Sequence, residues 1–276
     1  MDERIYLARA ALHMWEEPCI SGTKGSGTVF FSGCGLRCCF CQNHDIAIGS
    51  RGRAVSVERL GEIFLELKEK GAANINLVTG AHYVPQIIEA LDMARRNGLD
   101  IPVVYNSSGY EKTETLKLLE GYVDIYLPDL KYLDPELAQK FSNAPDYVQA
   151  AKAAIGEMVR QTGKCEFGED GYIRKGTIVR HLILPGHTGN SIKALRYLHE
   201  TYGEDIYISI MNQYTPVRKF VEFKELNRKV TKREYEKVLD AAVDMGIQNG
   251  FIQEGETASE SFIPDFDYEG VEKNTP

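Results

Sequence analysis

The sequence predicts an α/β fold built on a parallel sheet that is covered by helices. Between residues 28 and 252, short apolar runs alternate with longer stretches of helical periodicity. The apolar runs, such as residues 75–78, lack the strict alternation of a half-exposed strand, which is typical of strands buried on both faces. About six strand–helix units and a short last strand fit in this span, fewer than the eight units of a closed barrel.

The elements follow from local signals. Apolar residues at close to helical spacing predict an N-terminal helix over residues 3–15. Ser56 can cap a helix that Gly71 ends, and Thr231 to Glu234 form a capping box that opens the last helix. Strands are predicted over residues 28–31, 75–78, 101–105, 123–127, 177–184, 206–211 and 250–252. The other helices are predicted over residues 84–97, 113–120, 134–141, 145–160 and 191–202.

Four of the six cysteines fall directly after the first strand. The spacing Cys34-x3-Cys38-x2-Cys41 lets three thiolates converge from one loop, and side chains this close would strain any disulfide. Soft thiolates select zinc, copper(I) or an iron–sulfur cluster. Cys39 is a poor fourth ligand, because adjacent side chains of an extended loop point opposite ways. Three ligands suit a four-iron cluster with one free iron, and zinc or metal-free thiols are the alternative.

The motif Cys34-x3-Cys38-x-Phe40-Cys41 resembles the signature of the radical S-adenosylmethionine (SAM) enzymes. The wider runs over residues 15–22 and 31–43 resemble a branch similar to pyruvate formate-lyase-activating enzymes. The resemblance implies a partial (β/α)6 TIM-like barrel over residues 28–252, within one domain that has an N-terminal extension (1–27) and a C-terminal extension (253–276). It also implies a [4Fe-4S] cluster held by Cys34, Cys38 and Cys41, with SAM as the second cofactor.

The activity implied by this resemblance is reductive cleavage of SAM to a 5′-deoxyadenosyl radical, which abstracts hydrogen from a substrate. An electron donor such as flavodoxin or ferredoxin is expected, and a glycyl-radical enzyme is one expected substrate. The alternatives are radical modification of a small molecule or peptide, and a metal- or cluster-binding scaffold that is not an enzyme. Closure of the barrel mouth by apolar residues of the C-terminal extension would favour the small substrate; these residues are Phe262, Ile263, Phe266 and Tyr268.

Ligands of parallel α/β folds lie at the carboxyl ends of the strands, where this chain has polar residues. Asp129 and Lys131 project to the same side of an extended segment and offer a carboxylate and an ammonium to an amino acid group. The resemblance assigns both to the methionine end of SAM, and a strand-end salt bridge of little energetic value is the alternative.

The resemblance implies further cofactor contacts. Asn106, Ser107 and Ser108 are similar to the Thr-Asn-Gly segment that touches the SAM ribose in activating enzymes, although small residues also form ordinary turns. Gly80 is the one glycine kept from a Gly-Gly-Glu-Pro stretch whose backbone meets the methionine amino group.

The last candidates lie in and after the later strands. His181, next to Arg180 in an apolar strand, is a candidate SAM or substrate contact or else a satisfied core histidine. Three residues that follow the sixth strand are expected on the substrate side; they are Asn212, Gln213 and Tyr214.

Composition limits the partners. A net charge of -8 and a pI near 5.4 argue against nucleic acid or a membrane surface as partner. Residues 217–237 carry a local positive balance that could dock an acidic protein or a phosphorylated substrate, or simply face solvent. We expect a cytoplasmic protein with no membrane association, because no apolar run of 18 residues and no signal-peptide pattern occur.

Overall fold

The computed structural model describes residues 4–253 and 264–272, whose strands form one ten-stranded sheet. The strands are β1 (Ile5–His13), β2 (Ser26–Phe31), β3 (Arg53–Val55), β4 (Ile75–Val78), β5 (Val103–Ser107), β6 (Ile125–Pro128), β7 (Glu166–Phe167), β8 (Ile173–Leu182), β9 (Tyr207–Met211) and β10 (Gly250–Ile252). Their order across the sheet is β10-β9-β8-β6-β5-β4-β2-β1-β3, with β7 paired to β8.

The sheet is parallel from β2 to β10, while β1 pairs antiparallel with both β2 and β3. It is not closed, since β10 and β3 form its two ends. The predicted α/β fold with a parallel sheet of six units and a short last strand is therefore confirmed.

Helices cover the parallel strands and bury one apolar face each. They are α1 (Pro18–Ser21), α2 (His44–Ala47), α3 (Val57–Glu69), α4 (Val84–Arg96), α5 (Thr113–Leu118), α6 (Pro135–Ser142), α7 (Tyr147–Thr162), α8 (Thr188–Tyr202) and α9 (Lys232–Asp244). The Ser56 hydroxyl caps α3 by accepting a hydrogen bond from the Arg59 N–H, and Thr231 and Glu234 form the predicted capping box of α9. Within the described ranges, no helix is long and apolar enough to span a membrane.

The predicted N-terminal helix is wrong, because the same residues form strand β1. Both Ile5 and Leu7 are buried, as is Ala8, so β1 contacts protein on two sides. A strand buried on both faces loses its strict alternation, and its apolar residues then match a helical pattern by coincidence. Pairing with β2, from Leu7 opposite Phe31 to His13 opposite Ser26, decides the conformation.

The short helix α1 closes the barrel at the amino ends of the parallel strands. Ile20 is fully buried, and its carbonyl accepts a hydrogen bond from the Asn74 side chain at 2.8 Å, just before β4 begins. Cys19 and Ile20 belong to one apolar group with residues of three barrel strands, namely Val104, Ile125, Leu127, Ile173 and Ile178. The segment that precedes α1 therefore points from the amino ends of the strands into the barrel.

Residues 264–272 of the C-terminal extension lie along β1. The Ala10 N–H donates to the Glu269 carbonyl at 2.8 Å, and the Arg9 side chain pairs with Asp267 at 2.7 Å. Phe266 contacts the ring of Phe30 at a centroid distance of 5.5 Å. Tyr268 donates its N–H to the Ala8 carbonyl at 3.1 Å, and neither Phe266 nor Tyr268 lines the cavity described below. The other two residues predicted to close the mouth, Phe262 and Ile263, lie outside the described residues.

Candidate functional site

A cavity of about 510 Å³ lies inside the open barrel, between α1 below and the loop after β2 above. Its wall contains three of the four clustered cysteines, residues at or just after the ends of β4, β5, β6, β8 and β9, part of β10 and the segment that enters α1. This volume is typical of sites for small molecules and cofactors. The polar residues of the wall that matter below are Glu16, Glu17, Asn106, Asp129, Lys131, Arg180 and Ser209.

The loop after β2 turns its cysteines in two directions. Cys34, Cys38 and Cys41 line the cavity, whereas Cys39 lies outside its wall. The loop is held by backbone hydrogen bonds from Gly33 N–H to the Ile46 carbonyl and from Cys39 N–H to the Phe141 carbonyl, at 2.8 and 2.7 Å. These contacts fix three thiols at one face of the cavity.

Burial raises the pKa of all three thiols, to about 12 for Cys41. The Lys131 ammonium acts in the opposite direction on each of them, and the Ser142 hydroxyl donates to the Cys38 sulfur at 3.0 Å. Neutral thiols in this wall must release their protons when they bind a metal, because the thiolate is the ligand. The donor set fits a metal group that prefers sulfur and is positively charged.

The three thiols can each bind a different atom of one metal group. Within the described ranges, no three His, Cys, Asp or Glu side chains are arranged as the ligands of one metal ion. In an iron–sulfur cluster each cysteine binds a separate iron. Three thiols on one cavity wall therefore fit the ligand set of a cluster.

Below the thiols, a network of buried charges crosses the barrel. Asp129 accepts from the Lys131 ammonium at 2.6 Å and from the Arg180 guanidinium at 3.0 Å. Arg180 also donates to Glu16 at 3.2 Å and to the Asn106 side-chain oxygen at 2.6 Å. Asp129 and Arg180 form a parallel bridge between neighbouring strands, which explains why they meet. The salt bridge weighed as an alternative for Asp129 and Lys131 is thus present, inside the cavity wall.

The network sets the charges of its members. Burial alone would raise the pKa of Asp129, but Arg180 and Lys131 together lower it below its ordinary value. Burial alone would lower the pKa of Lys131, but Asp129 raises it. The pKa of Glu16 is raised by burial, against the effect of Arg180. Asp129 and Lys131 therefore enter the cavity as a fixed carboxylate–ammonium pair.

The candidates differ in how they reach the cavity. Asn106, Ser107 and Ser108 line it, as do Gln213 and Tyr214, although the Tyr214 hydroxyl donates to the Leu226 carbonyl. Three candidates lie outside the wall: Gly80, His181 and Asn212. His181 is fully buried and donates from Nδ1 to the Leu130 carbonyl at 2.6 Å, while its neighbours Arg180 and Leu182 face the cavity, as alternation along β8 requires.

Two cavity residues, Glu16 and Glu17, were not among the sequence-based candidates. The predicted helix over residues 3–15 ends just before them, so the sequence did not show that they lie in a turn between β1 and α1. Arg180 carried a usable signal, since a charge inside an apolar strand has to be paired or face the interior. Thr79 also lines the cavity, and its φ of 61° is unusual for a β-branched residue.

A sequence model of the Radical SAM superfamily matches residues 28–198, more than half of the chain. The chain belongs to the radical SAM superfamily. This family uses a [4Fe-4S] cluster and SAM, and both cofactors apply to this protein. The resemblance carried by the cysteine motif is thereby confirmed.

The chain has two similar curated relatives. An uncharacterized protein of Methanocaldococcus jannaschii is 28% identical over 244 residues, which are 86% of this chain and 67% of that protein. A pyruvate formate-lyase-activating enzyme of Clostridium pasteurianum is 27% identical over 113 residues, which are 39% of this chain and 46% of the enzyme. The chain thus spans less than half of the activating enzyme.

Solved structures share the fold. A radical SAM methyltransferase from Sphaerobacter thermophilus has a TM-score of 0.57 and 13% identity, over 86% of this chain and 69% of that one. The FeFe-hydrogenase maturase HydG from Carboxydothermus hydrogenoformans has a TM-score of 0.53 and 14% identity, over 84% and 54%. Streptococcus suis SuiB, bound to its precursor peptide SuiA, has a TM-score of 0.53 and 14% identity, over 81% and 47%. These likenesses extend to the partial barrel, with its open sheet.

Proposed function

We propose that Cys34, Cys38 and Cys41 hold the [4Fe-4S] cluster and that the Asp129–Lys131 pair holds the methionine end of SAM. One observation carries this proposal: the three thiols and the Asp129–Lys131 pair line the same cavity. The thiols come from the loop after β2, and the pair comes from the segment just after β6. When bound, the reduced cluster and SAM supply a 5′-deoxyadenosyl radical that abstracts hydrogen from a substrate. The chain's own residues bind, orient and shield these groups.

Each part of the wall has a role in this proposal. Lys131 faces both the thiols and Asp129, so its ammonium can meet a carboxylate of SAM while Asp129 meets a cationic group. Asn106, Ser107 and Ser108 offer side-chain and backbone oxygens to ribose hydroxyls. Apolar side chains of the wall, including Phe31, Leu182 and Met211, exclude water from the reacting atoms.

The candidates outside the wall are proposed as positioning residues. His181 holds the Leu130 carbonyl and thereby the segment between Asp129 and Lys131. The Asn212 N–H donates to Gln253, which also donates to the Gln213 side chain on the substrate side. A Cβ at Gly80 would come within 2.7 Å of Ile87, so this glycine keeps the cavity-lining Thr79 close to α4.

The finer activity is also a proposal. Similarity to the C. pasteurianum enzyme supports an activase of a glycyl-radical enzyme. Met14 and Trp15 line the cavity and are 45% and 55% exposed, which suits a mouth that admits a protein loop. Modification of a small molecule or a peptide remains the second candidate. An electron donor such as flavodoxin or ferredoxin and a cytoplasmic location belong to the same proposal, with no role for nucleic acid.

The test is anaerobic reconstitution of the wild type and of Cys34→Ser, Cys38→Ser and Cys41→Ser. We expect each substitution to abolish the visible iron–sulfur absorption and to lower dithionite-driven release of 5′-deoxyadenosine at least about 100-fold. Cys39→Ser is the matched control, because Cys39 lies in the same loop but outside the cavity wall. Undiminished release from the three variants would overturn the ligand assignment, and colourless wild-type protein would favour a scaffold without the cluster.

A further inference from the structure

Glu17 is the one acid of the cavity wall that the charge network does not neutralise. Only 8% of the residue is exposed, and its Oε2 is buried without a hydrogen-bond partner among the residues that the structure describes. The nearby Ser209 hydroxyl is a neutral donor that favours the carboxylate form and lowers the pKa of Glu17 against the effect of burial. A buried carboxyl with an unused oxygen is costly, so this position is stable only with a further partner or a proton.

Hydrogen bonds show which acid of the wall lacks a basic partner. The carboxyl, ammonium and guanidinium groups of the wall are three acids and two bases, namely Glu16, Glu17 and Asp129 against Lys131 and Arg180. The Arg180 guanidinium donates to Asp129, Glu16 and Asn106, and the Lys131 ammonium donates to Asp129. Glu17 is the acid of this set to which neither base donates.

Glu17 lies apart from the residues proposed for SAM. The strand registers place Asp129, Arg180, Ser209 and Phe251 in one row across β6, β8, β9 and β10. Ser209, the partner of Glu17, is two strands beyond Asp129, which is roughly 10 Å at ordinary strand spacing. Phe251 is its neighbour in the row and lines the same cavity. This side of the barrel combines one unpaired acid with an aromatic ring.

We propose that Glu17 and Ser209, beside Phe251, form a binding site for an ammonium group of the substrate. The inference deepens the proposed function, since it names a chemical class for the molecule that the radical attacks. An ammonium supplies a positive charge and several N–H donors to the unpartnered oxygen of Glu17, and an aromatic face adds a cation–π contribution. The terminal torsion of a glutamate is soft, so the carboxyl can turn its unused oxygen toward the ligand.

Proton balance gives the site a measurable property. Burial raises the pKa of Glu17, and Glu16 adds to this effect while Arg180 opposes it. A protonated Glu17 that binds an ammonium gives up its proton to the solvent, and the resulting carboxylate pairs with the cation. The ammonium therefore binds more tightly as pH rises, and binding releases protons. The titratable and charged groups that face Glu17 in this exchange are Glu16, Arg180, the Cys19 thiol of α1 and, through Arg180, Asp129 with Lys131.

The experiment compares n-butylammonium with 1-butanol, which have equal size but differ in charge. Isothermal titration of the cluster-loaded, SAM-bound protein measures affinity, and buffers of different ionisation enthalpy measure proton release. A ligand of this size in a real site has a Kd of roughly 0.1 M or tighter. We expect butylammonium to bind better than butanol with release of protons, and Glu17→Gln to weaken only the ammonium, by at least about tenfold.

The matched control is Glu157→Gln, since Glu157 is also 8% exposed but lies outside the cavity wall. Equal butylammonium affinity in the wild type and Glu17→Gln overturns the inference, as do equal affinities for the two probes or no binding near 0.1 M. Binding of the probe to SAM-free protein that is lost in the SAM-bound protein also overturns it, because the site would then belong to the cofactor. None of these results changes what is expected of the cysteine substitutions, so the proposed function is tested independently of this inference.

Discussion

Arg180 shows how single residues organise this site. Its guanidinium joins Asp129 of one strand end, Asn106 of another and Glu16 of the turn above α1. Removing it would leave Glu16 without a counter-charge and Asp129 with Lys131 alone, and an acid left unpaired in the interior is strongly destabilising. His181, the next residue, faces the opposite way and supports the same wall from behind.

His181 gives a prediction at this scale. Burial lowers the pKa of His181 to about 4, and its Nε2 has no partner among the described residues. In the unfolded chain His181 binds a proton near pH 6.5, whereas in the folded protein it stays neutral until about pH 4. The free energy of unfolding therefore falls as pH falls from about 6.5 to 4. The loss amounts to about 3 kcal/mol.

The measurement is urea unfolding at several pH values in this range. His181→Asn, which keeps an N–H for the Leu130 carbonyl, should flatten the pH dependence relative to the wild type. His44→Asn is the control, because the His44 side chain is 48% exposed. A wild-type slope that persists in His181→Asn would contradict the assignment.

The sequence predicted the cavity residues that follow a regular spacing along a strand, but it did not predict the cavity residues that lie in a turn. Asp129 and Lys131 are two apart on an extended segment just after a strand, which predicted that both project to one side at the ligand-binding end of the sheet, and both line the cavity. Glu16 and Glu17 have no such regularity, because their position comes from the pairing of β1 with β2. The direction of His181 depends on where β8 begins, which the apolar run did not show.

At the scale of elements, the tight strand ends position the site. The turn after β5 runs so close to the end of β6 that a Cβ on Gly109 would lie 2.2 Å from the Asp129 carbonyl oxygen. Gly109 also has a φ of 75°, which favours glycine. The parallel strands were predictable because they are apolar runs that alternate with helical stretches, whereas the conformation of β1 depends on its pairing with β2.

Gly109→Ala should therefore lower the free energy of unfolding by more than backbone strain alone would. Strain at this φ is worth about 1–2 kcal/mol, and the clash with Asp129 should bring the total to roughly 3 kcal/mol. Gly121→Ala is a matched control, because Gly121 has a φ of 82° and open space around it. Thermal or denaturant unfolding compares the two. Equal costs would mean that the Asp129 carbonyl moves away freely.

At the scale of the whole molecule, charge is unevenly distributed. The chain has a net charge of -8, yet Arg218 and Lys219 are exposed near the cysteine loop. Burial raises the pKa of Cys39 to about 11, and Arg218 and Lys140 oppose this rise, which shows that both cations lie near the loop. An acidic electron donor would be attracted to this face, close to the proposed [4Fe-4S] ligands.

The double variant Arg218→Glu/Lys219→Glu tests this partner. At low ionic strength, SAM cleavage driven by reduced flavodoxin should slow about tenfold, while cleavage driven by dithionite stays unchanged. Added salt should remove the difference. Lys193→Glu/Arg196→Glu on α8 reverses the same charges elsewhere and should have little effect. Equal slowing by both double variants would mean that only net charge matters, and that no docking face exists here.

The turn above α1 has a consequence for how such enzymes diversify. Glu16 and Glu17 precede the stretch shared with the superfamily, whereas the cysteines and the Asp129–Lys131 pair lie within it. Ser209 and Phe251 follow that stretch, so all three residues of the proposed ammonium site lie outside it. Substitutions at these three positions should change the preferred substrate and leave in place the residues proposed to hold the cofactors.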